Sequence, residues 1–135
     1  MKTITITNPW AGLILLGLKD VENRTWKTDY RGKLLIHSSK SSKKIKETED
    51  YIIRNILSEE ERKKLLFNRE AMHICNTFGY ILGEVELVDC IQNSESKWAE
   101  KVGVHKLYHW VLKNPVIYNE PIEAKGKLRL WEFEK

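Results

Sequence analysis

Lys19, Glu22, Arg24 and Trp26 stand within eight residues of one another in the segment Gly17-Leu-Lys-Asp-Val-Glu-Asn-Arg-Thr-Trp26, directly after an apolar stretch. A lysine ammonium is a mobile point charge that suits a phosphate. An arginine fork holds phosphate bidentately or stacks on a base. A glutamate accepts from an exocyclic amine, and an indole offers a stacking face. If residues 21 to 26 are extended, Glu22, Arg24 and Trp26 share one face and Val21, Asn23 and Thr25 the other. The plain structural reading is a Glu22–Arg24 ion pair worth under about 1 kcal/mol if exposed. Trp10, on the preceding apolar stretch, is read either as core or as a second stacking platform.

A second group follows at His37, Ser38 and Lys40, in a run of serines and lysines that includes Lys43, Lys44 and Lys46 and no acid. Hydroxyls and ammonium groups suit phosphate oxygens, and His37 titrates near neutral pH. The alternative is a serine that caps the next helix beside solvated lysines, with His37 structural. His105 and His109 have an H-x-x-x-H spacing, but on a strand they stand ~13 Å apart, too far to share a metal. No metal site and no cofactor is expected. Cys75 and Cys90 are distant in sequence and form no C-x-x-C pair, so they are read as small core hydrophobes rather than as a disulfide or zinc framework.

These residues need elements to position them. Lys2 to Ile6 alternates as a strand; Asn8 is a suitable N-cap and Pro9 a suitable first residue for a helix over Trp10 to Leu18. Gly17 can adopt the positive φ that turns the chain into the Lys19 segment. Lys33 to His37 reads as a buried strand. Residues 43–56 and 59–73 read as two charged helices, the second opened by a Ser58–Glu61 capping box. Thr77 to Ile91 is the longest strand, with Gly79 and Gly83 permitting bends. Asn93 to Lys101 is turn-like, Lys106 to Leu112 is a strand that Asn114-Pro115 breaks, and Ala124 to Phe133 closes the chain as a strand. Strands at both ends with helices between them indicate an α+β fold, a small β-pseudobarrel with peripheral helices.

The 135 residues fit one domain, 1–135, with a helical insertion at about 43–73. The formal charge of +4 is uneven: residues 1 to 46 carry ten Lys or Arg against three Asp or Glu, the remainder thirteen against sixteen. A basic end favours an anionic partner such as a nucleic acid, though a solvated lysine-rich surface has the same composition. There is no apolar run of membrane-spanning length and no secretory leader pattern, so a cytoplasmic protein without membrane contact is expected.

Several segments together resemble the ASCH domain family: Asn8-Pro-Trp-Ala11, Gly17-x-Lys-x-x-Glu-x-Arg-x-Trp26, Gly32-Lys-Leu-Leu-Ile-His37, Gly83-Glu-Val-Glu-Leu87, Tyr108-His-Trp-Val-Leu112 and Lys125-Gly-Lys-Leu-x-Leu-Trp131. The resemblance covers nearly the whole chain. It implies a PUA-like pseudobarrel whose cleft receives single-stranded RNA or a modified nucleotide, with a role in RNA metabolism or its regulation. The expected ligand residues are Lys19, Glu22, Arg24, Trp26, Trp10, His37, Ser38 and Lys40, in a basic cleft of a monomer. The alternative is a small hydrolase. Some relatives resemble amidohydrolases of acetylated cytidine that use a lysine, a threonine and a glutamate. Lys19 matches the lysine, but Glu22 stands at the threonine position; Thr25 should face away, and Glu95 or Glu100 would be the third member. A ribonuclease would use Glu22 or His37 as base with Lys19 and Arg24 as phosphate stabilisers. Lys19 and Glu22 are the catalytic pair if there is turnover.

Overall fold

In the computed structural model, which describes residues 1–101 and 107–134, the chain runs β1 (Lys2–Ile6), α1 (Trp10–Leu15), β2 (Val21–Arg24), β3 (Gly32–Ser38), α2 (Ile45–Asn55), α3 (Glu59–Leu66), α4 (Arg69–Ile74), β4 (Tyr80–Ile91), β5 (Tyr108–Glu123) and β6 (Leu130–Glu132). The strands form one mixed sheet in the order β2-β5-β4-β3-β1-β6, with β1 and β3 parallel and the other pairs antiparallel. The sheet curls into a half-barrel with helices around it, the α+β architecture expected.

Curvature comes from register shifts. β4 slips against β5 between Ile81 and Gly83 and twice more further along, and against β3 at Ile36/His37. Gly83 is required there, because a Cβ would lie 2.1 Å from the Val116 carbonyl oxygen. The concave side is filled by Leu34, Ile36, Leu82 and Trp110, and by Leu13 and Ile14 of α1. Because α1 is apolar nearly all round, it is buried over Ala11 to Leu15.

Five expectations need correction. Helix α1 ends at Leu15 rather than Leu18, with Gly17 at φ +77° turning the chain. Its N-cap residue is Pro9; Asn8 instead accepts from the Gly12 N–H at 3.0 Å. Residues 59–73 form two helices, because Asn68 takes an extended conformation and its side chain caps α4 at Ala71 N. The Ser58–Glu61 capping box opens α3 as read from sequence.

The fourth correction concerns β5, which continues past Asn114-Pro115 to Glu123. Asn114 adopts φ +54° and absorbs a bulge instead of ending the strand. The closing strand is only Leu130–Glu132, and Leu128 stands 91% exposed outside it. Lys106 and His105 lie outside the described residues. Cys75 is buried, Cys90 half-buried, and both are free thiols. No helix among the described residues is long and apolar enough to cross a membrane.

Candidate functional site

Strand β2 begins directly after the Gly17 turn and pairs with β5, so that Glu22 faces Trp110 and Arg24 faces Tyr108 in register. Val21 is buried at the start of the strand, which draws the neighbouring Lys19 inward. The Lys19 side chain is only 3% exposed. Its Nζ donates to Val21 O at 2.6 Å and to Glu22 Oε1 at 2.8 Å, and lies 5.5 Å from the centre of the Trp10 ring. The other oxygen of Glu22 accepts from Arg24 Nη2 at 2.9 Å. Burial by itself would raise the Glu22 pKa. The adjacent Lys19 ammonium and Arg24 guanidinium outweigh it, and the carboxyl is held below its ordinary value of 4.5. The carboxylate is therefore an anionic acceptor at neutral pH.

Lys19 and Glu22 line a recess of about 550 Å³ together with Trp10, Asn23, Tyr51, Asn55, Trp98 and Glu100. Its far wall is α2, and its lid-like flank is the 94–100 loop. That loop is fixed from several sides. Asn23 donates to Trp98 O and accepts from Glu100 N, each at 2.9 Å, while Ser96 Oγ donates to Asp20 Oδ1 at 2.5 Å. His109 accepts from Ser94 N through Nδ1, so its proton sits on Nε2, which donates to Glu100 O at 2.8 Å. Trp10 and Trp98 meet edge to face at 6.2 Å. The buried Trp98 indole N–H has no partner among the described residues, an uncommon condition for a buried donor.

The other residues singled out in sequence lie elsewhere. Arg24 does not line the recess: it sits behind Glu22 and donates across the half-barrel to Thr5 O of β1 at 3.1 Å. Trp26 packs edge-on against Trp110 at 4.7 Å, with the Arg129 guanidinium over its ring at 4.2 Å. His37 and Ser38 are buried inside the sheet. His37 Nε2 faces Ala124 O at 2.7 Å and Nδ1 faces Thr5 Oγ1 at 3.2 Å; Ser38 Oγ donates to Tyr80 O. Lys40 packs over Gly79, away from the recess. Glu95 is exposed and does not line the recess, whereas Glu100 does. No three His, Cys, Asp or Glu side chains converge on a metal-sized site among the described residues.

Trp98, Asn23, Tyr51 and Asn55 were not foreseen as lining residues. Trp98 carried a signal, as a lone large aromatic in the polar stretch from Asn93 to Lys101. Tyr51 and Asn55 carried none, since only the packing of α2 over the sheet brings them here. The cationic lining residues Lys19 and Lys97 are balanced by Glu22 and Glu100. A donor and an acceptor 2.8 Å apart on the floor of an aromatic recess match the amide-like edge of a nucleobase better than they match a bare phosphate.

The family model of the ASCH domain matches residues 4–126. The chain is 27% identical over 138 residues to activating signal cointegrator 1 of Homo sapiens and 25% identical to that of Mus musculus. Each alignment covers 97% of this chain and 22% of the relative, so the chain spans about a fifth of the length of these proteins. Among solved structures, an ASCH protein from Zymomonas mobilis shares the fold with a TM-score of 0.59 and 13% identity, covering 99% of this chain and 87% of that one. The half-barrel is accordingly of the PUA-like type.

Proposed function

Since this chain is a member of the ASCH domain family, we propose that it binds single-stranded RNA or a modified nucleotide, and that one base enters the recess lined by Trp10, Lys19, Glu22 and Trp98. The observation that carries this reading is the Lys19–Glu22 pair on the recess floor, 2.8 Å apart and almost wholly buried. Lys19 has three N–H donors, of which two are used by Val21 O and Glu22. The third, with the remaining lone pairs of Glu22, offers a donor beside an acceptor, the pattern that an amino-keto base edge completes. Base–aromatic stacking adds ~1–3 kcal/mol per base. Residues 43–73 act in this reading as an insertion whose first helix walls the recess, and the protein works as a monomer in RNA metabolism or its regulation.

Recognition is favoured over turnover by the state of Glu22. A carboxylate clamped between two cations and held below its ordinary pKa is a weak general base near neutrality. The test is a titration of the protein with cytidine, N4-acetylcytidine and a short single-stranded RNA, followed by tryptophan fluorescence, with mass spectrometry of each mixture. Saturable binding that is lost in Glu22→Gln and weakened in Trp10→Leu is expected, with the nucleosides and RNA recovered unchanged. Binding indifferent to both substitutions would move the site elsewhere. Product formation that disappears in Lys19→Met would make the protein a hydrolase instead.

A further inference from the structure

Beyond Arg24, strand β2 leads to the place where the two free edges of the half-barrel approach each other. Here Arg24 reaches Thr5 O, and Trp131 Nε1 donates to Thr5 Oγ1 at 3.1 Å. The β5–β6 connection, Ala124-Lys-Gly-Lys-Leu-Arg129, crosses this seam. Lys125, Lys127 and Arg129 are exposed on it, and no carboxylate among the described residues lies within ion-pair distance of any of the three. Lys27, also exposed but 4.0 Å from Asp29 Oδ1, follows Trp26 in the chain. Lys40 approaches from a third segment, packed over Gly79, whose carbonyl accepts from Ala124 N.

Two features distinguish this cluster from a solvated lysine surface. Arg129 is held in the left-handed region at φ +59°, a conformation costly for a residue with a Cβ and retained only where the surroundings impose it. Its guanidinium carbon also lies over the Trp26 ring, 4.2 Å from the centre, a position that holds the head group without using its N–H donors. Lys127 is likewise seated near an indole, 5.9 Å from the Trp131 ring. The seam lies within reach of the recess: from Glu22, which lines the recess, to Trp26, under Arg129, is four residues, at most ~13 Å of extended chain, the span of about four stacked nucleotides.

We propose that this seam is a phosphate track: Lys125, Lys127 and Arg129 neutralise backbone phosphates of a single-stranded RNA whose base occupies the Lys19–Glu22 recess. The inference rests on the recess reading, and the two divide the labour. The recess reads a base, and the track supplies salt-dependent affinity for a polymer. A free nucleoside therefore uses only the recess.

The experiment measures the affinity of the whole chain for a short single-stranded RNA across salt concentrations, and for cytidine at one. Each phosphate neutralised on a single strand contributes about −0.7 to the slope of log K against log salt. Lys125→Gln/Lys127→Gln/Arg129→Gln should flatten the slope by about 2 and weaken RNA binding about 100-fold at 0.1 M salt, leaving cytidine binding unchanged. Lys125→Gln/Lys127→Gln keeps the Arg129–Trp26 stack and should flatten it by about 1.4, which guards against a folding defect. RNA binding with an unaltered slope in both variants would overturn the track and leave the recess intact. Cytidine binding without RNA binding would do the same. If the wild type binds neither, the recess reading falls and the track with it. If the substitutions instead abolish binding to phosphatidylserine vesicles while RNA is not bound, the patch is a lipid-surface contact and the proposal is wrong.

Discussion

Lys19 and Arg129 are both cations set against an indole, the one 5.5 Å from Trp10 and the other 4.2 Å from Trp26, yet their settings are opposed. Lys19 is enclosed, with a carboxylate and a carbonyl as partners; Arg129 is exposed, with no carboxylate beside it among the described residues. Enclosure makes the recess expensive to disturb and insensitive to salt, because its charges were desolvated on folding and depend on one another. Exposure makes the seam cheap to alter and salt-sensitive. A base-reading site needs the first property and a backbone-following surface the second.

Breaking the enclosed side should have the largest effect. Glu22→Ala leaves Lys19 and Arg24 without their shared counter-charge and should lower unfolding stability by ~3–5 kcal/mol in urea titrations. A loss below about 1 kcal/mol would mean that water already screens the pair. Glu22 also sets an acid limit. Its pKa is depressed on folding, so its contribution is fully present above the unfolded value, near 4.5, and is lost as pH falls further.

His37 lies beneath the seam and sharpens the contrast on the side of pH. Burial lowers its pKa, with the Lys40 charge acting in the same direction, against hydrogen bonds from the Ala124 and Gly79 backbone that raise it. The unfolded chain therefore takes up a proton near pH 6.5 that the folded chain refuses, and stability should fall as pH drops below that value. An NMR titration should find the His37 ring taking up its proton below the ordinary histidine value of 6.5; protonation at or above that value would remove this acid sensitivity. Smaller still is the exposed side. Arg129→Ala should cost no more than about 1 kcal/mol for the lost stack in thermal unfolding. Lys125→Ala and Lys127→Ala should stay within about 0.5 kcal/mol. Larger losses would show that the seam cations hold the half-barrel closed.

Local signals carried much of the fold. The alternation of Lys2 to Ile6, the apolar run of Lys33 to His37 and the long stretch ending at Ile91 all became strands, and Gly17 turned where a positive φ was expected. What failed was punctuation that tertiary packing overrode. Asn114-Pro115 looks like a break, but β4 supplies partners on both sides of the bulge, so the strand resumes. Asn68 looked like one more polar helical residue until its capping geometry split the helix. The period of two correctly paired the directions of Glu22 and Arg24. It carried no information about curl, and curl is what sends the Arg24 guanidinium to β1 instead of into the recess. His37 and Ser38 were legible as strand-end polar residues but not as enclosed ones, because the segment that covers them begins at Ala124, far along the chain.

Asn8 has a consequence for how the molecule breathes. Its side chain accepts from Gly12 N in α1 and donates to Ile74 O and Thr77 O at 3.1 and 2.8 Å, just where α4 ends. One amide thus tethers the start of one helix to the finish of another more than sixty residues later. Opening either end exposes the groups that satisfy the other, so amide hydrogens of α1 and α4 should exchange with solvent deuterium as one cooperative unit.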